Sequence, residues 1–533
     1  MSDKKKCKLL LIMPTFWDII APSVGIVSLK SFLEKFGHQV TVVNLNEEQE
    51  LWNTQGKYLE VLKSVVPEKS ILPRLGSELL GFHSQAKVFK DDYPEGYINY
   101  IEILLKDHFQ YLLRDVSKVK IALTIEKLEA VLDKHFSNVK KIVPELLSVN
   151  PDFVGCSMLS STLGTALFLL REIKNKFPEV TTVLGGPGPY NGISSDSENL
   201  KKLADKCSFV DKIIFGEGEL VLKEIIEKPH SGGKIISALN FNIGQLKMDS
   251  LPFLDYSDLN LKKYFNLGIG VSRGCPYKCS FCSETMVWGN FRTMSVERII
   301  KEIEAHEEKY GKKGYFFTDA LMNHSLNGLA KKLLSKKIKI EMDCYMRVDK
   351  HTQMQEFTDL WAKAGLSRIR LGMESGSAQI LKAMNKKVTP GAQMNSLECL
   401  RKSGIKTTTY WIVGFPGETE EHFQETLSLI KKMKNNIYEL DLAIFYFYGE
   451  GEIGRDEFVD NNGGLQDRFP PEFEPLSIFR YYKLKDLQPS REEAMDRAIR
   501  FINLAKENGI PCNRSSVIDL LEAEKRWKRL AKL

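Results

Sequence analysis

The sequence predicts an α/β protein in which an open parallel sheet is followed by a barrel-like run of β/α repeats. Short apolar runs of strand length flank a helical pattern near the start of the chain, with strands at 8–13 and 39–45 and a helix over 25–36. Strand, helix and strand in that order form the βαβ unit of a parallel sheet. The same alternation then recurs six times between residues 268 and 445.

The chain of 533 residues divides into three predicted units and a linker. Residues 1–228 form the first α/β unit, with a helical insertion over about 50–145, where helical periodicity replaces strand-like runs. Residues 229–265 have weak periodicity and several turn-forming residues, which indicates a linker. Residues 266–450 form the barrel unit, and residues 451–533 form a helical C-terminal region.

The strands of both units are predicted from short apolar runs. Those of the first unit lie at 8–13, 39–45, 153–158, 181–184 and 212–215. Those of the second unit lie at 268–272, 315–318, 339–343, 368–372, 408–413 and 440–445, with predicted helices between them. Six repeats are fewer than the eight of a complete β/α barrel, so the sequence predicts a partial (β/α)6 barrel.

Composition excludes some classes of partner. Lys plus Arg is 75 and Asp plus Glu is 69, and the net charge of +6 is too small over this length to favour nucleic acid. No apolar run reaches the roughly 18–20 residues of a membrane span. The charged N-terminus could begin a signal peptide, but its apolar run stops at Pro14 without a small-residue cleavage site. We therefore expect a buried first strand, reduced cysteines and a cytoplasmic protein.

Three of the nine cysteines stand close together, at Cys275, Cys279 and Cys282, with the spacing C-x3-C-x2-C. They follow the first barrel strand, and active sites of β/α barrels lie at the carboxyl ends of the strands. Three thiolates can hold three irons of a [4Fe–4S] cluster and leave the fourth iron open to a ligand. A zinc site would need a fourth ligand, and the sequence offers no second C-x2-C knuckle. Three inert thiols are the other alternative.

The cysteine spacing, with Phe281 directly before the last cysteine, resembles the signature of the radical S-adenosylmethionine (SAM) superfamily. The resemblance covers most of residues 268–445. It implies a [4Fe–4S] cluster on the three cysteines, SAM bound at the fourth iron, and reductive cleavage of SAM to a 5′-deoxyadenosyl radical. It also implies an external electron donor such as flavodoxin or ferredoxin.

Three later segments extend this resemblance along the barrel. Asp319 ends the second predicted strand, where the family recognises the SAM amino group. Glu374 and Ser375 stand in a G-x-E-S-G segment whose acidic residue contacts SAM in the family. Gly414 opens a Gly-Phe-Pro-Gly-Glu turn that lies beside the adenosine in the family. Phe281, Asp319, Glu374, Ser375 and Gly414 are therefore the predicted SAM-binding residues.

Each segment also has a structural alternative. Asp319 could cap a helix. Glu374 could pair with Arg370 or Arg347, and Gly414 could be an ordinary turn residue.

The first unit resembles cobalamin-binding domains. Ser157 follows one predicted strand, and Gly185-Gly186 follows the next, like the S-x-L and G-G elements of those domains. The turn Gly216-Glu217-Gly218-Glu219 adds to this likeness. Small residues let a ligand approach the backbone closely. The sequence departs from the pattern after the first strand, where Pro14 to Gly25 contain no histidine to ligate cobalt, so base-off binding is expected. A degenerate Rossmann-like domain that binds nothing is the alternative.

Together the two resemblances imply a cobalamin-dependent radical SAM enzyme with a Rossmann-like (flavodoxin-like) domain ahead of the barrel. The implied reaction is methylation of an unreactive carbon in a small molecule or peptide. Two alternatives remain: a radical rearrangement or cyclisation without methyl transfer, and a non-catalytic iron–sulfur protein that binds SAM.

Overall fold

The structure is a computed structural model with two parallel six-stranded sheets. It describes residues 6–17, 19–186, 198–228, 232–238, 245–284, 288–447, 453, 456–465, 469–476, 484–513 and 517–530.

The first sheet has the strand order β2-β1-β3-β4-β5-β6, and all its strands are parallel. Helices cover both faces, which is why β1 is almost continuously apolar and buried. The chain changes direction across the sheet between β1 and β3, and ligands of such sheets bind beyond the carboxyl ends of the strands at this point. The strands are β1 (Lys8–Met13), β2 (Gln39–Asn44), β3 (Phe153–Ser157), β4 (Thr181–Gly186), β5 (Lys212–Phe215) and β6 (Ile235–Ser237).

The helical insertion predicted between the second and third strands is confirmed. Its four long helices bury tyrosine, leucine and histidine side chains among themselves. Both ring nitrogens of His83 are hydrogen-bonded to tyrosine hydroxyls, of Tyr58 at 2.9 Å and of Tyr97 at 2.7 Å. Burial lowers the pKa of His83 to about 3, so this core carries a neutral imidazole.

The segment predicted as a linker contributes a strand to the first sheet and contacts both units. Ile235–Ser237 form the sixth strand of the first sheet, so this part is a paired edge strand. Further along, Asp258 pairs with Lys30 of the first unit at 2.6 Å. The backbone N–H of Leu254 donates to Glu302 of the barrel at 3.1 Å, and the Tyr256 hydroxyl donates to the carbonyl of Gly268. The described residues from 254 to 258 are therefore packed against the units on either side.

The predicted partial barrel of six parallel strands is also confirmed, in the order β14-β13-β12-β11-β10-β7. Two predicted strand positions are corrected. The first strand is shorter than predicted, because its continuation Ser272–Arg273 leaves the barrel and pairs with Arg292–Thr293. The third lies later than predicted. The strands are β7 (Leu267–Ile269), β8 (Ser272–Arg273), β9 (Arg292–Thr293), β10 (Gly314–Phe317), β11 (Glu341–Arg347), β12 (Leu366–Glu374), β13 (Lys406–Val413) and β14 (Glu439–Ile444).

Helices alternate with the strands along the chain. Of the helices in the described part of the chain, none has the length and apolarity needed to cross a bilayer. The helices of at least six residues are α1 (Val24–Glu34), α2 (Gln49–Lys63), α3 (Leu72–Lys87), α4 (Pro94–Phe109), α5 (Lys118–Leu146), α6 (Leu163–Lys176), α7 (Glu198–Lys206), α8 (Gly218–Glu227), α9 (Val296–Tyr310), α10 (Leu326–Lys336), α11 (Gln355–Lys363), α12 (Ala378–Ala383), α13 (Pro390–Lys402), α14 (Glu420–Met433), α15 (Asp456–Asn461), α16 (Arg491–Glu507) and α17 (Val517–Leu530).

Candidate functional site

A cavity of about 690 Å³ lies between the carboxyl ends of the two sheets. The first sheet contributes small side chains to its wall, including Ser157, Gly185 and Gly186. The barrel contributes polar groups from the ends of its first two strands, among them Ser272 and Asp319. The cavity therefore brings Asp319, predicted to bind SAM, together with the three residues predicted to bind cobalamin.

The three cysteines lie in a loop that leaves the barrel at β8 and returns at β9, beside this cavity. All three thiols are partly buried. Burial raises the pKa of Cys275 and raises that of Cys282 to about 12. Within the described residues, no three Cys, His, Asp or Glu side chains are arranged to hold a single metal ion. A [4Fe–4S] cluster is bound differently, with each thiolate on a separate iron.

The cysteine loop rests on the segment that follows β12. The backbone N–H of Ser280 donates to the carbonyl of Met384 at 3.0 Å, and the Asn385 amide donates to the carbonyl of Lys278 at 2.7 Å. The Arg347 guanidinium lies 3.5 Å from the centre of the Tyr277 ring. These contacts fix the loop to the barrel independently of any ligand.

Asp319 stands at the end of β10 and is 3% exposed. Its carboxylate accepts hydrogen bonds from the backbone N–H of Val271 at 2.9 Å and from the Ser272 hydroxyl at 2.6 Å, and also from the Ser272 N–H. Burial raises the pKa of Asp319 to about 6, against the effect of these donors. Asp319 thus lines the cavity while it holds the start of the cysteine loop.

Glu374 is not in the cavity wall as the structure has it. It pairs with Lys386 at 2.7 Å, and not with the Arg370 or Arg347 that the sequence suggested as alternatives. A bulge in β12 gives Glu374 a φ of +65°, which is a strained conformation for a residue other than glycine. Strained backbone of this kind is concentrated at functional sites. The Lys386 ammonium in turn lies 5.8 Å from the centre of the Phe281 ring. The Glu374–Lys386 ion pair therefore lies next to Phe281 of the cysteine loop.

Ser375 and Gly414 are engaged within the protein. The Ser375 hydroxyl is fully buried, 3.2 Å from the hydroxyl of Thr426, and accepts the N–H of Ser377 at 3.1 Å. Gly414 has a φ of +75°, and a side chain there would collide with Ala494 of α16. Close packing against Ala494 therefore explains why position 414 is a glycine, and the sequence alone could not show this contact.

The two glycines at the end of β4 differ in whether their backbone conformation requires glycine. Gly186 has a φ of +131° and lies against the backbone of Met158, so its conformation alone requires glycine. At Gly185 an added Cβ would meet protein only at ordinary contact distances, 3.5 Å from the Ile214 carbonyl oxygen. The backbone therefore does not require glycine at Gly185, and its missing side chain leaves space at the cavity wall.

The loop after β1 carries no histidine, but a histidine from the insertion packs against it. His135 of α5 is hydrogen-bonded to Thr15 at 3.1 Å and to Thr54 at 3.0 Å, and its ring stacks on Phe16. Burial lowers the pKa of His135 to about 3. His135 is absent from the cavity wall. Asp18 of this loop lies outside the described residues.

The sequence reasoning missed several residues at this cavity. Glu284 lies in its wall, and burial raises the pKa of its carboxyl group. Trp288 faces Arg273, whose guanidinium lies 5.7 Å from the ring centre. Glu217 and Glu219 were noted only as part of a turn, yet both line the cavity and form ion pairs with the barrel. The sequence does show that Arg273 stands two residues before the first cysteine, and this position marks it as a residue at the start of the cysteine loop.

Comparison with known proteins identifies the barrel. Residues 269–430 match the family model described as the radical SAM superfamily. This region of the chain belongs to the radical SAM superfamily. The match begins just before the cysteine loop and includes Asp319, Glu374 and Gly414.

Relatives extend the likeness beyond the barrel. An uncharacterised methyltransferase of Pyrococcus horikoshii is 29% identical over 338 residues, which is 59% of this chain and 71% of that protein. An anaerobic magnesium-protoporphyrin IX monomethyl ester cyclase of Rubrivivax gelatinosus is 23% identical over 54% of this chain, and the chain spans only 55% of that protein.

A solved structure matches the whole fold. It is TsrM of Kitasatospora setae, a radical SAM methyltransferase with cobalamin and a [4Fe–4S] cluster bound. The alignment covers 99% of this chain and 100% of that one, with a TM-score of 0.61 and 14% sequence identity. The shared feature is the fold, with a Rossmann-like sheet ahead of a partial barrel. Together with the superfamily match and the methyltransferase relative, this likeness supports the conclusion that the protein is an enzyme.

Proposed function

We propose that this chain is a cobalamin-dependent radical SAM methyltransferase that methylates an unreactive carbon. The observation that carries the proposal is the single cavity walled by the glycine-bearing edge of the first sheet and by the start of the cysteine loop. When bound, the cluster supplies an electron for SAM cleavage and cobalamin carries the methyl group. An external one-electron donor, such as flavodoxin or ferredoxin, is required.

The donor set fits a cluster on Cys275, Cys279 and Cys282. Three partly buried thiols lie on one loop that the barrel supports through backbone hydrogen bonds. Three protein ligands leave a fourth iron for the amino and carboxylate groups of SAM. Asp319 is the residue in the cavity best placed to accept a hydrogen bond from that amino group, because its carboxylate already lies against the strand that leads into the loop.

The first sheet fits a large, uncharged ligand surface. Ser157, Gly185 and Gly186 stand at adjacent strand ends and present little side-chain volume to the cavity. His135 satisfies both ring nitrogens with threonines. Among the described residues of the cavity wall there is no histidine, which supports base-off cobalamin without a protein imidazole on cobalt.

A second candidate is a radical reaction without methyl transfer, and the likeness to a cyclase favours it. Anaerobic reconstitution separates the two. The full chain is given iron, sulfide, hydroxocobalamin and SAM carrying a deuterated methyl group, then a reductant and a panel of candidate substrates. A substrate whose mass rises by a deuterated methyl group supports the methyltransferase. Production of 5′-deoxyadenosine with unlabelled product would favour the second candidate, and no deoxyadenosine would contradict both.

A further inference from the structure

The base of the cysteine loop is closed by two arginines that face each other. β8 and β9 are antiparallel strands of two residues each, and Arg273 is the register partner of Arg292. Like charges directly opposite on neighbouring strands are destabilising. Two such short strands cannot offset this repulsion alone, so closure of the loop depends on anions from elsewhere.

The anions come from the first unit. Glu217 contacts both arginines: its Oε2 lies 3.1 Å from Nη1 of Arg273 and accepts a hydrogen bond from Nη1 of Arg292 at 3.2 Å. Glu219 pairs with Arg273 and also accepts the Ser28 hydroxyl at 2.7 Å. We call Glu217, Glu219, Arg273 and Arg292 the clamp.

The clamp is a compensated and largely buried set of charges. Glu219 is 3% exposed. Burial raises its pKa, but the Arg273 guanidinium outweighs this and holds the pKa of Glu219 below its usual value. Two carboxylates therefore face two guanidinium groups. Removing one side of such a group leaves buried charges uncompensated, which costs far more than losing an exposed ion pair.

The clamp also forms part of the cavity. The turn that carries Glu217 and Glu219 lines the wall beside the carboxyl end of β5, next to Gly185 and Gly186 of β4. Arg273, which pairs with both carboxylates, lines the same cavity. A ligand that fills the first-sheet side of the cavity therefore contacts the same turn that closes the cysteine loop.

We propose that the four clamp residues are positioning residues that couple occupancy of the first-sheet side of the cavity to retention of the cluster on the cysteine loop. This rests on the proposed function, since it requires a cluster and a cobalamin. The coupling uses no covalent step: a ligand holds the turn, the turn holds Arg273 and Arg292, and these hold the loop closed around the three thiolates.

The test measures loss of iron from the anaerobically reconstituted full chain to a ferrous chelator, with and without hydroxocobalamin. Bound cobalamin is followed by its visible absorbance in the same samples. In the wild-type protein, cobalamin should slow iron loss. In the Glu217→Gln/Glu219→Gln variant, iron loss should be faster by about tenfold, because two opposed arginines are left uncompensated, and cobalamin should no longer slow it.

A third variant separates coupling from stability. Adding Arg292→Gln to the double variant removes the repulsion across the strands. Iron loss should then be slower than in the double variant, although Arg273 stays unpaired, while the effect of cobalamin stays absent. The control is Glu492→Gln, which breaks an exposed ion pair with Arg114 elsewhere in the molecule and should behave as wild type. A double variant that still responds to cobalamin as wild type does would overturn the inference. A wild-type protein that takes up no cluster would instead overturn the proposed function.

Discussion

The two sheets share a parallel topology, yet their carboxyl edges carry opposite chemistry. At β3 and β4 the first sheet ends in Ser157, Gly185 and Gly186, which are small and uncharged, and the carboxylates that follow β5 are paired with Arg273 and Arg292. The barrel edge carries the thiols of the cysteine loop and the carboxylate of Asp319. Strand order alone therefore positions a ligand, and the residue types at the strand ends decide which ligand. A broad neutral surface suits the first edge, and a metal cluster with a charged cosubstrate suits the second.

The largest expected effect is at the barrel edge. Cys279→Ala should abolish both the iron–sulfur absorbance and 5′-deoxyadenosine production, because two thiolates do not retain a cluster with one open iron. Cys399→Ala is the matched control, since this partly buried cysteine lies outside the loop and should keep both signals. Normal deoxyadenosine production by the Cys279→Ala protein would contradict the assignment of the cluster.

The second largest effect is expected from a substitution at the edge of the first sheet. Gly185→Val should prevent cobalamin binding, because the added side chain occupies the cavity while its Cβ meets no protein atom closer than 3.5 Å. Cluster content and SAM cleavage should survive, since both belong to the barrel. Gly186→Val is a poorer test, because the positive φ of Gly186 strains any side chain. Retained cobalamin in Gly185→Val would mean that the two edges are not chemically divided in this way.

Within the barrel, Glu374 and Ser375 are neighbours with different surroundings. Glu374→Gln should keep the cluster and weaken SAM binding by about 1.5–3 kcal/mol, the contribution of a charge-assisted hydrogen bond. Ser375→Ala should lower only thermal stability, because its hydroxyl is bonded inside the protein. Equilibrium dialysis with SAM checks both variants. Unchanged affinity in Glu374→Gln would leave the pair with Lys386 as the role of this residue.

The smallest expected effect is a loss of folding stability at acid pH. The folded insertion holds His135 neutral with a pKa of about 3, while the unfolded chain binds a proton below the usual value of 6.5. The unfolded state then carries more protons, so stability falls as pH falls from 6.5 towards 3. Between pH 7.5 and pH 5.5 this one group should cost about 1.4 kcal/mol. His135→Gln should remove that share of the pH dependence in urea unfolding, and an unchanged dependence would show that another group titrates.

Local patterns were enough to predict most elements and the cysteine loop. The strands 8–13 and 212–215 were predicted to the residue, since each is a short apolar run that begins at a lysine and stops before a proline or a glycine. The strand Ile235–Ser237 was missed because three residues give no readable period. The site residues Glu217 and Arg273 were missed as a pair because they are far apart in sequence, and only the packing of the two units brings them together.

The insertion has a consequence for how the chain is made. β1 and β2 precede it, but β3, the other neighbour of β1, follows about 100 residues later. At synthesis rates of about 5–20 residues per second, the first two strands wait roughly 5–20 s on the ribosome for that neighbour. The hydrogen bonds within each of the helices α2 to α5 are local, so these helices can begin to form during this interval. The packing of α3 against α6 must wait until β3 has also been synthesised, so the insertion and the first sheet complete their packing together.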